Sequence, residues 1–305
     1  MPLEIRLDSR RRAQLARQFG LDIVATERIH AGVDNTTFAI RTHTAAFALT
    51  VLEKKSAEAA QPYARYLVAL ARRGLPLPRL ERTVSGDCVA EIGGKPAILC
   101  AFVHGTQFAI LPVAHLPALG TIFAALHASA TECGIRPFIR FDQAKLDHIP
   151  TLEDRPFARW LLARHAESAR RRYSDDHLVP THGDPFPDNL ILDTSGRLVL
   201  LDWEDGSADS ARIDLAMAML GQCCPDDAFS PDRFNRILHG YRDAGGTLPP
   251  GNDLLSTTVY AAAFTAYRRY LKQADAVGTV PGLRAYRTIP VVVESIMDGW
   301  RDVDL

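Results

Sequence analysis

The sequence predicts an α+β protein with a small antiparallel-sheet lobe at the amino terminus and a larger, mostly helical lobe behind it. Two observations carry this reading. Up to residue 104 the apolar residues fall in short runs divided by polar or glycine turns, and after residue 113 they recur at helical spacing. The boundary is placed so that the lobes are 1–104 and 105–305.

Taken in order, Ser9 to Phe19 reads as a first helix, with Ser9 as its N-cap. Residues 22–30, 36–42 and 46–52 are strand-like and joined by short polar turns. Gly32 and Asn35 lie between the first two, either as an ordinary hairpin turn or as a loop whose amides approach phosphates. Ser56 to Arg73 carries Ala60, Tyr63, Leu67 and Leu70 at helical spacing and stops at Gly74. Residues 88–92 and 96–102 form a hairpin across Gly93-Gly94 and lead to a hinge at Val103-His104-Gly105. Leu116, Leu119, Ile122, Phe123 and Leu126 mark the next helix. Further helices are expected over 153–173, 211–222, 231–243, 253–274 and 286–300, with Gly245 to Gly251 a turn-rich connector.

The stretch THGDPFPDNLILDTSGRLVLLDWEDGSADSARID, Thr181 to Asp214, is the most informative in the chain. Asp184 stands where a loop carboxylate could accept a proton from an attacking alcohol, and Asn189 offers a neutral oxygen ligand to a hard cation. Leu190-Ile191-Leu192-Asp193 and Arg197-Leu198-Val199-Leu200-Leu201 read as two strands around Thr194-Ser195-Gly196. Such a hairpin would fold Asp202 back beside Asn189, so that two oxygen ligands converge. Magnesium prefers a few such oxygens completed by substrate phosphates and water. His182 reads as a brace for the loop, and Asp188 as a solvated acid.

HGDPFPDN followed by LLDWEDG resembles the catalytic and metal loops of the aminoglycoside and choline kinase superfamily, relatives of protein kinases. Asp214, in Arg212-Ile213-Asp214-Leu215-Ala216, matches a structural acid at a helix start there. Ala31 to Phe38 and Phe47 to Glu53 resemble the nucleotide-lobe strands of the bacterial type II homoserine kinases, as do Arg73 to Pro78, Gly93 to Ala97 and Phe102 to Gly105. The similarity runs from about residue 28 to residue 222, with an echo at Ala261 to Lys272. It implies a protein-kinase-like bilobal fold, with ATP and Mg2+ as cofactors and Gly32, Asn35 and Thr50 beside the nucleotide. Thr50 stands where many kinases place a phosphate-holding Lys, with Lys54 and Lys55 just beyond. Trp203-Glu204-Asp205 is more acidic than the homoserine kinase pattern and is similar to choline, thiamine and aminoglycoside kinases.

Composition suits a soluble enzyme: 305 residues, 47% hydrophobic, and a formal net charge of -1. No general attraction to nucleic acid or to an anionic membrane is expected. Arg10-Arg11-Arg12 and Arg170-Arg171-Arg172 read as solvated helix faces. Five scattered Cys residues without metal spacing suggest reduced thiols and a cytoplasmic location. No secretory leader or membrane span is evident. A GxxxxGK loop, GxGxxG, HExxH and GxSxG are all absent, which removes several other enzyme classes.

The expected activity is ATP- and Mg2+-dependent phosphorylation of a small alcohol, with L-homoserine favoured by the resemblance. Alternatives are another amino alcohol, an aminoglycoside-like antibiotic, or a non-catalytic nucleotide-binding relative. Glu204 and Asp205 are candidates for a substrate amine, or are solvated loop acids. Arg268 and Arg269 read first as a helix surface and second as a bidentate site for a substrate carboxylate.

Overall fold

The computed structural model describes residues 5–29, 35–129, 137–169, 178–275 and 285–305. Of these, the residues up to Thr106 together with Ile191–Glu204 form one compact unit. Those from Gln107 to Leu190 together with Asp205–Leu305 form a second.

The first unit opens with α1 (Ser9–Phe19), β1 (Ile23–Ile29), β2 (Thr36–Thr42), β3 (Ala46–Val51) and α2 (Ala57–Arg72). It continues through β4 (Ala90–Ile92), β5 (Lys95–Ala101) and β6 (Gly105–Thr106). Strands β1 to β5 make one antiparallel sheet in the order β1-β2-β3-β5-β4. Strand side chains alternate between faces, so Phe38, Ile40, Leu49, Val51, Ala97 and Leu99 share one core with Leu15 and Phe19 of α1. The cap of α1 is Asp8 and not the expected Ser9: its Oδ1 accepts from the Arg11 amide at 2.9 Å. An ionised acceptor one residue upstream makes the stronger bond to the orphan amides, and Ser9 becomes the first helical residue. Helix α2 is capped by Ser56, whose hydroxyl accepts from Ala59 N at 3.2 Å. It buries Ala60, Ala64, Leu67 and Leu70, and Gly74 leaves it at φ +79.

The second unit holds α3 (Leu116–His127), α4 (Gln143–His148), α5 (Arg155–Ala169) and β7 (Val179–Thr181). The chain then supplies β8 (Leu190–Asp193) and β9 (Leu198–Leu200), which form a three-stranded sheet in the order β6-β8-β9. It goes on with β10 (Ser207–Asp209), α6 (Arg212–Gln222), α7 (Pro231–Asp243), α8 (Gly251–Asp275) and α9 (Ile289–Gly299). Strand β10 runs antiparallel to β7, pairing Ser207 with Thr181. Helices α3 and α7 approach at backbone distance. A Cβ on Gly120 would fall 2.0 Å from Ile237 O, and one on Gly240 2.0 Å from Pro117 O. Every residue of α6 from Arg212 to Leu220 is buried, which makes it the central helix of this unit. Residues 170–173 of the expected 153–173 helix lie outside the described residues, as does the Arg170-Arg171-Arg172 cluster.

Candidate active site

In the second unit the chain leaves β7 and turns at Gly183, with φ +82, directly before Asp184. A Cβ at this glycine would meet Asp205 O at 2.7 Å, so both conformation and space demand Gly. The turn is held from below by Asp214 of α6. Its Oδ2 accepts from His182 N at 2.9 Å and its Oδ1 from Gly183 N at 2.7 Å. Oδ2 also lies 3.1 Å from Nε2 of His127, whose Nδ1 is 3.0 Å from the Tyr241 hydroxyl. Burial alone would raise the Asp214 carboxyl. The hydrogen bond and charge of His127, the charge of His182 and the Gly183 amide outweigh it and hold the group below the usual 3.8. Burial, and then the Asp214 charge, push the Tyr241 phenol up to about 12, so it stays protonated beside His127 Nδ1.

Asp184 N donates to His182 Nδ1 at 3.2 Å, so the buried His182 braces the loop as expected. Phe186 N donates to Asp184 O and Asn189 N to Phe186 O, both at 2.9 Å, through the tight turn Pro187–Asn189. Asn189 Nδ2 donates to Asp184 O at 2.8 Å and to Asp184 Oδ2 at 3.1 Å. With Nδ2 committed to Asp184, Oδ1 is the end of this amide available as an oxygen ligand. Farther round the loop, Gln222 Nε2 donates to Pro185 O at 3.3 Å and Gln107 Nε2 to Asp188 O at 2.9 Å. The Arg269 guanidinium lies 5.1 Å from the centre of the Phe186 ring, within cation–π range. Asp205 is paired with Arg268 of α8, whose guanidinium also lies 5.8 Å from the Phe264 ring.

In the first unit the β8–β9 hairpin closes with Gly196 at φ +81 and Asp193 N donating to Arg197 O at 2.9 Å. Asp202 follows β9 at φ +47, a left-handed conformation uncommon for a residue other than glycine. Trp203 is buried edge-on against Tyr66 at 6.2 Å, its indole donating to Leu200 O at 3.0 Å. Glu204 accepts a hydrogen bond from Asn35 Nδ2 at one oxygen and pairs with Lys55 Nζ at 3.6 Å through the other. Asn35 Oδ1 accepts from Glu53 N at 3.2 Å, and Lys55 sits 5.3 Å from the centre of the Tyr63 ring. Burial, then the charge of Asp202 and further charges including Glu204, drive the Tyr63 phenol well above its usual range.

Of the expected residues, the structure brings Asp184 together with Asn189, Asp205 with Arg268, and Asn35 with Glu204. Thr50 lies on β3 opposite Thr37 of β2 and Ile98 of β5. Gly32 lies outside the described residues. Glu204 and Asp205, expected side by side at one amine, belong to different units and take different cations. Sequence reasoning missed the pairing of Lys55 with Glu204 and the buried bonds among His127, Asp214 and Tyr241. Spacing alone carried no signal for partners so far apart in the chain.

The fold and this loop define a phosphotransferase class. Residues 25–255 match the model of the phosphotransferase enzyme family, and the chain belongs to that family. It is 28% identical over 237 residues to a homoserine kinase of Rhodopseudomonas palustris, covering 72% of this chain and 71% of the relative. It is 29% identical over 236 residues to a homoserine kinase of Methylobacterium nodulans, covering 73% and 72%. Among solved structures, a spectinomycin phosphotransferase held with ADP and spectinomycin superimposes with a TM-score of 0.70 at 12% identity, over 95% of this chain and 97% of that one. The choline kinase LicA of Streptococcus pneumoniae superimposes with a TM-score of 0.65 at 14% identity, over 91% and 95%. At such identities the likeness is one of fold.

Proposed function

We propose that this protein transfers the γ-phosphoryl group of ATP to the side-chain hydroxyl of L-homoserine, forming O-phosphohomoserine, with Mg2+ as the metal. The observation that carries the reading is the Asp184–Asn189 loop, locked onto the wholly buried Asp214. Asp184 accepts the hydroxyl proton as the oxygen attacks phosphorus. Asn189 keeps the Asp184 carboxylate oriented, and the Gly183 turn sets where it points.

Asn189, through Oδ1, and Asp202, whose side chain is exposed, are each proposed as a metal ligand on the strength of the sequence motif. Among the described residues no three His, Cys, Asp or Glu side chains gather as an all-protein metal site would require. Oxygen ligands of this kind would suit a hard divalent cation, which also takes phosphates and water. When bound, such an ion neutralises charge on the β- and γ-phosphates. Asn35, Thr50 and Gly32 belong to the nucleotide side. Lys55, half-buried and poised on Glu204, is the cation that stands in for the missing strand lysine.

The relatives named homoserine kinase support the acceptor, and the free thiols Cys88, Cys100, Cys223 and Cys224 support a cytoplasmic setting. Among the described residues no helix is long and apolar enough to cross a membrane. A second reading, another amino alcohol such as choline, draws on the acidic Glu204-Asp205 step. The test is Mg2+-dependent ADP release from ATP across L-homoserine, choline, ethanolamine, thiamine, hydroxylysine and several aminoglycosides. A strong preference for L-homoserine is expected. Preference for another alcohol would replace the substrate, and nucleotide binding without turnover on any of them would overturn the kinase reading.

A further inference from the structure

We infer that the first unit carries an anion-binding cleft along the exposed side of α2, built for a small molecule that bears several phosphate groups. The inference stands apart from the phosphotransfer reading, since it uses none of the residues assigned there to nucleotide, metal or acceptor.

Helix α2 has two sides of different chemistry. Ala60, Leu67 and Leu70 are buried in the unit. Gln61, Arg65, Val68 and Arg72 recur three or four residues apart and so share another side. That side and the turn formed by residues 82 and 86–88 line an open cavity of about 590 Å³. Cavities that hold small molecules run from about 300 to 1,000 Å³. The turn is fixed by its own bonds. Thr83 N donates to Asp87 O at 2.8 Å, Gly86 N to Thr83 O at 2.9 Å, and Asp87 N to the Thr83 hydroxyl at 3.0 Å. Arg82 donates to Gly86 O at 2.7 Å, which ties its guanidinium to this wall.

Positive charge is concentrated here. Four arginines, Arg65, Arg72, Arg73 and Arg82, line the cavity against one acid, Asp87, in a chain whose formal net charge is -1. The Asp87 carboxylate already accepts from the Ser85 hydroxyl at 2.8 Å. Arg65 and Arg72 are exposed, and among the described residues their guanidinium groups make no ion pair or hydrogen bond. The helix dipole accounts for a cation at Arg72, in the last turn, but not for Arg65 two turns earlier. Seven residues set the two about 10 Å apart along the helix axis. One orthophosphate is too small to satisfy both, whereas a short chain of phosphates spreads charged oxygens over such a length. The planar guanidinium takes phosphate oxygens in pairs.

The test uses Cys88, a free thiol that lines the same cavity and reports its occupancy directly. The full chain, in about 0.15 M salt, is alkylated with iodoacetamide alone, with inorganic tripolyphosphate and with orthophosphate. The rate at Cys88 is read by peptide mass spectrometry, and calorimetry gives the affinities. The wild type is compared with Arg65→Gln/Arg72→Gln and with Arg159→Gln/Arg301→Gln, which loses the same charge from exposed positions in the second unit. Tripolyphosphate should bind the wild type and the Arg159/Arg301 variant and slow alkylation of Cys88 by at least about tenfold in both. Its affinity should fall at least about tenfold in the Arg65/Arg72 variant, with protection lost. Orthophosphate should bind at least about tenfold more weakly than tripolyphosphate. Equal affinity in all three proteins, an equal loss in both double variants, or binding that leaves Cys88 unprotected would overturn the inference, as would no binding to the wild type. Protection of Cys88 in the wild type needs no variant, so a double variant that failed to fold would still leave the inference open to refutation.

Discussion

The carboxylate of Asp214 and those of Glu204 and Asp205 are all paired, but in opposite ways. Asp214 is wholly buried and receives two backbone amides and a histidine. Glu204 and Asp205 are 16% and 22% exposed and lean on the flexible cations Lys55 and Arg268. The first arrangement cannot exchange partners without exposing orphan amides, so it fixes a shape. The other two are part-exposed pairs between flexible side chains, which add little to stability.

The comparison is tested most strongly at the group the buried cluster serves. Asp184→Asn should lower kcat by about 10²–10⁴-fold, the usual worth of a general base, with the melting temperature nearly unchanged. Steady-state kinetics with calorimetry would check it, and near-wild-type turnover would remove Asp184 from the mechanism. Next comes the cluster itself. Asp214→Ala should cost about 3–5 kcal/mol of stability by taking the buried carboxylate away from His127 Nε2 and from the two amides, measured as a shift in the urea midpoint. A loss below about 1 kcal/mol would erase the distinction drawn between the two kinds of acid.

The pH dependence of that term has a definite sign. The folded Asp214 carboxyl lies below its ordinary value, so the unfolded chain binds more protons in the window between the two. Its contribution is therefore full above about pH 5 and is lost as pH falls through the folded value. The stability gap between wild type and Asp214→Ala should narrow on acidification below about pH 4, and a gap that stayed constant would contradict the depressed value. The smallest effect belongs to the exposed side of the comparison. Glu204→Gln should change stability by less than about 1 kcal/mol. It should still shift the KM for ATP, because Lys55 loses its counter-charge.

The elements that encode themselves locally were legible. Ser56, Gly74, Gly196 and the alternating apolar residues of β2, β3 and β5 act through their immediate neighbours, and their helices and strands lie within a residue or two of expectation. The Asp184–Asn189 loop was legible as a motif, while the bond between its two ends, five positions apart, was not among the expectations. The three-residue strands β7 and β10 were not, because so short a run has no period to read. The short helix α4 escaped on the same ground. At Asp8 and Ser9, two capping residues stood side by side, and charge settled a choice that pattern left open.

By itself the sequence determined the α+β class, the order of helices and strands, and a loop carrying Asp184 and Asn189 at kinase-like spacing. Only the tertiary structure decided which charges meet. Asn35 reaches Glu204 across 169 positions and Arg268 reaches Asp205 across 63. Turn and cap signals act over a few bonds, whereas an ion pair depends on where whole helices and strands have been packed. That is why two adjacent acids of the same charge acquired different cations.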